Sequence, residues 1–473
     1  MSRKLTEAEI EKGMKAYRGP WQMLSLTGWD VEDMTDRPVI AVVNTYSTIC
    51  PGHMNLREVS EAVKYGITQA GGVPVEFGTI GVCDITQNGY VLPTRDAICD
   101  SIELMVKCHG FDGVIMLGSC DKIVPGMMMA AARCDIPAMI VTGGPSLGGP
   151  AFDGRPKTEY TAVAEAEGQQ MVGKISREEV YNLARTVMPT YGSCAFYGTA
   201  NTMSCVTEAI GLQMPGGGCI PAVYAERLRH AKASGKKIVE LVQKGIKATD
   251  IMTFEALQNA IMFLMATGGS TNGVLHLSAI GNELGYDPSV IMEEFDRLSD
   301  EIPQIVRVFP GTNQYVMEDF YFSGGVPRVM ENLRSKLNLN VMTCTGKTMG
   351  ENIDDYVYQY KDCNPEIIRP LDNPFGMGGL AILKGNLCPD TAVCKPAGIP
   401  EKMRKFTGKA VVFDSEHDAT AALKALKIKA GDVAIIRYGG PKGEPGMREM
   451  CDFMKYLTGQ GLAEEVMLIT DGR

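Results

Sequence analysis

The chain has 473 residues, 45% of them hydrophobic and 22% charged, with a formal net charge of -10. Its lysines and arginines are scattered rather than gathered into a cationic stripe, which argues against a nucleic-acid partner. No apolar run approaches the roughly 18 residues that cross a bilayer, which argues against a membrane role. Chemistry on a small molecule is the expectation that is left.

In chain order, the N-terminal stretch MSRKLTEAEIEKGMKAYRGPW is polar with a helical pattern. It lacks the apolar core and cleavage site of a secretory leader, so a cytoplasmic location is expected. Short β-branched runs then alternate with longer segments of helical period. Strands are predicted at 39–44 (VIAVVN), 113–118 (GVIMLG) and 136–143 (IPAMIVTG), and helices at 56–70 and 95–108. Such alternation predicts an α/β fold with a parallel sheet and helices on both faces, its ligand groups beyond the carboxyl ends of the strands. Ser176 and Glu179 have capping-box spacing before a helix at 176–187. A further helix is expected to begin near Thr202, and 233–337 reads as mostly helical, broken by the ATGGSTN turn at 266–272.

Beyond about residue 360 the texture changes to short β runs with Gly and Pro turns: LAILKG, KAVVFDS, DVAIIRYGGPKGEPG and EVMLITDGR. At this length two domains are expected. We place an N-terminal α/β domain at 1–360 and a β-rich, barrel-like domain at 361–473, left incomplete at Arg473.

The fourteen cysteines contain no CxxC pair of the zinc-ribbon or thioredoxin kind. Most, including Cys99, Cys108 and Cys134, read as small packed hydrophobes. The segment MLGSCDKIVPG is different, because a predicted strand ends by delivering a thiol, a carboxylate and an amine at consecutive positions. A thiolate suits iron-sulfur clusters and a carboxylate suits magnesium, so Cys120 beside Asp121 could serve two metals. On spacing alone the plainer reading stays open: a packed turn thiol, a helix-capping Asp121 and a solvated Lys122. The turn GGSTN is read as a helix start capped by Ser270 or Thr271. GGPKGEPG is read as a tight turn that presents Glu449 rather than as a phosphate cradle.

GSCDKIVPGMMMAAA, GTANTMSCVTEA, GGSTNGVLHLSAI, IIRPLDNP, GGLAILKGNLCPD and IIRYGGPKGEPGMREM followed by LITDGR resemble, in order, the dihydroxy-acid dehydratase and phosphogluconate dehydratase family. The resemblance runs from about Thr35 to the last residue. It implies a hydro-lyase that converts a 2,3-dihydroxy acid to a 2-oxo acid, using an iron-sulfur cluster (2Fe-2S or 4Fe-4S) and Mg2+. It further implies cluster ligation by Cys120 and Cys194, and magnesium ligation by Asp84, Asp121, Glu449 and a carbamylated Lys122. A homodimer or homotetramer is expected from the same source. The downstream blocks fit the branch serving valine and isoleucine biosynthesis better than the sugar-acid branch, which remains the alternative.

Three departures qualify the resemblance. The family's first cluster cysteine would fall at Gly52, whereas this chain has Cys50 just before Pro51, either a displaced third ligand or a neutral loop thiol. His53 is a ligand or, as we favour, a histidine hydrogen-bonded within its loop. The segment CDITQNGYVLPTRD is shorter than its counterpart, which bears on the substrate. Finally, the family's closing motif continues D-G-R-F-S-G, and the serine that serves as base would lie two positions beyond Arg473. The expectation is that the printed chain is a fragment and inactive, so an inactive remnant is a further alternative. A thiol redox or metal-storage protein is the reading of another class; it leaves the carboxylates without a role.

Overall fold

The computed structural model describes residues 6–16, 26, 28–29, 36–84 and 91–473. Of the polar N-terminal stretch, Glu7–Ala16 forms helix α1. Four strands, β1 (Val39–Asn44), β2 (Val73–Gly78), β3 (Gly113–Gly118) and β4 (Ala138–Thr142), form a sheet of order β2-β1-β3-β4. All its pairings are parallel, with Asn44 opposite both Gly78 and Leu117. β3 and β4 are buried at every position, as strands covered on both faces must be. Three of the four strands are the predicted ones. β2 (VPVEFG) went unread because Pro74 and Glu76 interrupt its apolar run; both are tolerated because β2 is an edge strand.

The crossovers are α2 (Leu56–Gln69), α3 (Pro93–His109) and α4 (Ile123–Cys134). The chain runs from β1 outward to β2, then back past β1 to β3 and on to β4. Right-handed crossovers therefore put α2 on one face and α3 and α4 on the other. The strand order reverses between β1 and β3, so the crevice beyond their carboxyl ends is the topological switch point where ligands bind in such sheets. α4 is buried from Ile123 through Ala132 and is apolar all round, as a central helix must be. α3 is amphipathic: Ile98, Ile102 and Val106 face the core. That stripe turns Cys108 outward, so the packing expected for Cys108 is wrong, whereas Cys99 is fully buried and Cys134 packs at the core margin.

Helices α5 (Ala162–Met171), α6 (Arg177–Thr186) and α7 (Thr199–Ala209) follow. The Ser176–Glu179 capping box is formed as predicted. α7 starts three residues earlier than expected, at an extended Gly198. The helical stretch comprises α8 (Ala225–Lys244), α9 (Phe254–Thr267), α10 (Asn272–Glu283) and α11 (Pro288–Glu301), with short helices beyond, and it breaks at the predicted turn.

The C-terminal part differs from expectation. It holds an antiparallel pair, β5 (Ala381–Leu383) with β6 (Ala392–Cys394), and a parallel sheet of β7 (Lys409–Phe413), β8 (Asp432–Ile436) and β9 (Met467–Thr470). α12 (Glu416–Lys424) and α13 (Cys451–Gln460) make its crossovers. These are small sheets with helical connections, in which the expected β-rich barrel is not recognisable. Turn-rich texture concealed two helices of about ten residues. α13 lies against α5 at an unusually close approach: a Cβ on Gly459 would sit 2.0 Å from the Glu165 carbonyl oxygen, and one on Gly168 would sit 2.5 Å from that of Tyr456. No described helix is long and apolar enough to cross a membrane.

Candidate active site

At the switch point, the loops after β1 and β3 meet. Gly118 ends β3 with no room for a side chain, since a Cβ there would lie 2.7 Å from the Ile123 side chain. This close turn feeds α4 at once and sets Cys120, Asp121 and Lys122 at the mouth of the crevice. From the β1 loop, Cys50 brings its Sγ to 3.2 Å from Cys120 Sγ, and Cys50 also shares a hydrogen bond with Cys83. The hydrogen bond with Cys120, moderated by Cys83 and reinforced by burial, raises the Cys50 thiol strongly. Cys194, on the loop before α7, is raised well above the ordinary thiol range by burial, then by Glu159 and by the neighbouring thiols Cys83 and Cys50. Thiols crowded this way resist ionising together unless a positive centre sits among them.

His53 lies within the same group: its ligand-capable nitrogens and the Cys50 and Cys120 sulfurs include atoms within 4.8 Å of one another. Both ring nitrogens are nevertheless engaged. The Thr45 carbonyl can only accept, so Nδ1 donates to it at 2.8 Å, and Nε2 accepts the Cys120 backbone N–H at 3.2 Å. Burial holds the imidazole neutral, its pKa lowered to about 4. His53 is thus the loop-bonded histidine favoured from sequence, a strut that fixes the backbone of Cys120.

The carboxylates adjoin the thiols. Lys122 is fully buried, and its Nζ donates to Asp84 Oδ2 at 2.9 Å and to Asp121 Oδ1. Asp84 Oδ1 is buried without a hydrogen-bond partner among the described residues. Burial, then the charge of Asp121, raises the Asp84 carboxyl to about 7 against the pull of Lys122. Burial acts on Asp121 as well, but Lys122, His276 and Arg473 outweigh it and hold that carboxyl well below the usual range. Glu449 reaches the pocket from the far side. It lies two residues before α13, and its side chain is 33% exposed. Burial and the Asp121 charge raise its carboxyl, while Lys122 and Arg473 oppose them. Three carboxylates beside two fixed cations, one of them with a buried oxygen that has no partner, are hard oxygen donors of the kind that could hold a divalent cation.

Several residues around this pocket had no reading in the sequence. Arg473 Nη1 donates to Glu449 Oε1 at 2.8 Å. Asn272 also donates to Glu449, and Thr199 Oγ1 lies 3.4 Å from the same oxygen. His276 Nε2 is 3.4 Å from Asp121 Oδ1. The GGSTN turn does start a helix, but Thr271 makes no side-chain cap there, and Ser270 Oγ accepts from Asn272 N and shares a hydrogen bond with Thr199 Oγ1. The turn ahead of Glu449 is fixed by Leu92, whose N–H donates to the Gly446 carbonyl at 2.9 Å. The shortened segment after Asp84 falls partly at 85–90, outside the described residues.

A parallel α/β sheet that gathers thiols and carboxylates at its switch point defines a class: enzymes that work through a metal-binding pocket on a small substrate. Comparison with known proteins narrows the class. The family model described as dihydroxy-acid/6-phosphogluconate dehydratase N-terminal matches residues 37–352, and its C-terminal counterpart matches residues 366–473. The chain is 48% identical over 472 residues to a dihydroxy-acid dehydratase of Caldanaerobacter subterraneus subsp. tengcongensis, covering 98% of this chain and 83% of the relative. It is 47% identical over 457 residues to a dihydroxy-acid dehydratase of Methanosarcina barkeri, covering 95% and 82% respectively. The chain belongs to the dihydroxy-acid/6-phosphogluconate dehydratase family, a family of lyases.

Proposed function

We propose that the chain dehydrates a 2,3-dihydroxy acid to a 2-oxo acid, as a dihydroxy-acid dehydratase of valine and isoleucine biosynthesis. The observation that carries the reading is adjacency: the Cys50–Cys120 pair at 3.2 Å and the Lys122–Asp84 contact at 2.9 Å lie on either side of Asp121. In this reading Cys120, Cys194 and Cys50 hold an iron-sulfur cluster, 2Fe-2S or 4Fe-4S. Asp84, Asp121, Glu449 and a carbamylated Lys122 hold Mg2+. When bound, the iron supplies a Lewis acid for the departing C3 hydroxyl, and the magnesium supplies positive charge beside the carboxylate and C2 oxygen.

The protein's own residues prepare that chemistry. His53 fixes the Cys120 loop, and buried Lys122 holds Asp84 and Asp121 together. Carbamylation would replace an ammonium, which has no lone pair, by oxygen donors, and would exchange two ion pairs for metal bonds. Arg473 neutralises one oxygen of Glu449, and its carbonyl accepts the Met450 N–H at 3.0 Å, so the DGR sequence lies beside the pocket. The family resemblance assigns the C2 proton to a serine that follows DGR-Phe.

The test is a substrate panel on oxygen-free protein containing iron, sulfide and Mg2+. Turnover of 2,3-dihydroxy-3-methylbutanoate well above that of six-carbon sugar acids supports the reading. The reverse order assigns the chain to the sugar-acid branch. Iron-loaded protein that turns over neither substrate marks an inactive remnant.

A further inference from the structure

The two halves of the carboxylate pocket, Asp121 after β3 and Glu449 before α13, are far apart in sequence and belong to different sheets, yet one helix touches both. Asn272 opens α10, and His276 lies four residues on, one turn along the same face. Both side chains are buried. Asn272 Nδ2 donates to Glu449 Oε1 and lies 2.9 Å from Thr199 Oγ1, which in turn is 2.8 Å from Ser270 Oγ. His276 stands between Arg95, whose Nη1 is 3.4 Å from Nδ1, and Asp121, whose Oδ1 is 3.4 Å from Nε2. A guanidinium can only donate, so Nδ1 is the accepting nitrogen. The ring hydrogen therefore sits on Nε2, aimed at the carboxylate.

The bonds share a pattern. Those from Asn272, Thr199 and Arg473 all fall on Oε1 of Glu449, and those from Lys122 and His276 fall on Oδ1 of Asp121. One oxygen of each carboxylate is thereby pinned, while the two carboxyl groups also meet each other across the pocket. Partners that pin one carboxylate oxygen orient the second toward a metal and are as much a part of the site as the ligands.

We infer that Asn272 and His276 are positioning residues, through which α10 holds Glu449 and Asp121 at the spacing a divalent cation requires. This rests on the magnesium reading of the pocket given above. Both act through the carboxylates. Because α10 belongs to the N-terminal part and Glu449 to the C-terminal part, the Asn272 contact also locks the second part onto the first at the point where the cation binds.

The experiment is calorimetric titration of oxygen-free protein with MgCl2, with melting of the chelated proteins as the control for folding. Asn272→Leu and His276→Leu should each weaken Mg2+ binding by about 10- to 100-fold. His276→Gln, whose amide can reach Asp121 in place of Nε2–H, should recover most of the loss. Asn272→Asp, the same size but charged against Glu449, should bind no better than the Leu variant. Should the Leu variants fail to fold, His276→Gln against His276→Asn makes the same comparison, since only the longer amide reaches Asp121. Mg2+ affinity unchanged from the parent, with only the chelated melting temperature lowered, would overturn the inference. A parent that binds no Mg2+ would instead remove the metal reading itself.

Discussion

Cys50 stands two residues before Gly52, the position at which the family resemblance would put a first cluster cysteine. A Cβ on Gly52 would lie 3.2 Å from Cys120 Sγ and 3.3 Å from the Ser193 backbone, so the loop is already pressed against the thiol group there. Cys50, one residue before Pro51, brings its thiol to 3.2 Å from Cys120, and in the proposed function it is the third cluster ligand. Cys50→Ser should therefore lower iron and acid-labile sulfide in oxygen-free protein, whereas Cys99→Ser, in the packed core, should leave them unchanged; equal iron in both would remove Cys50 from the cluster. The residues legible from sequence were those whose chemistry is local. Cys120, Asp121 and Lys122 announce themselves because three reactive groups follow a strand without interruption. Asn272 and His276 do not, because their partners lie 177 and 155 positions away and the sequence GGSTN fits a helix start equally well.

Among elements, α13 begins two residues after Glu449 and is seated on α5. The two helices touch through Gly168 and Gly459, where no methyl group fits. Gly459→Ala must push α13 away, at a cost of about 1–3 kcal/mol by the measure of overpacked cores. Denaturant unfolding should register that loss. Because Glu449 precedes α13 by two residues, Mg2+ affinity should fall with it; stability lost with affinity intact would mean that Glu449 is held by its own turn instead. The N-terminal elements were readable because β1 and β3 are uninterrupted β-branched or apolar runs and α3 keeps its stripe. The C-terminal ones were misread because α12 and α13 are short and sit among Gly and Pro turns. Glycine texture there marks close helix contact as much as β turns.

For the whole molecule, buried ionisable groups set a pH window. Burial lowers His53 and His230 to about 4 and His276 to about 3, from 6.5. The unfolded chain then binds more protons as pH falls from 6.5, so the stability these groups contribute is full above that value and is lost toward 4. Glu208 acts oppositely. Burial raises it to about 8 from 4.5, despite the N–H groups of Gly216 and Gly218, so stability falls as pH rises between those values. The melting temperature should peak near neutral pH. Glu208→Gln gives up one backbone hydrogen bond at every pH, but its melting temperature should decline less than the parent's on the alkaline side. A parallel decline would take Glu208 out of the account. What the fold assembles from these parts is one pocket with a thiol side and a carboxylate side, and the claim that two metals share it is open to direct measurement. Mn2+, a paramagnetic substitute for Mg2+, should speed the electron-spin relaxation of the reduced iron-sulfur cluster in oxygen-free protein. It should do so far less in a variant carrying Asp84→Asn and Glu449→Gln. Mn2+ bound tightly to the parent with the cluster's relaxation unchanged would contradict the shared pocket.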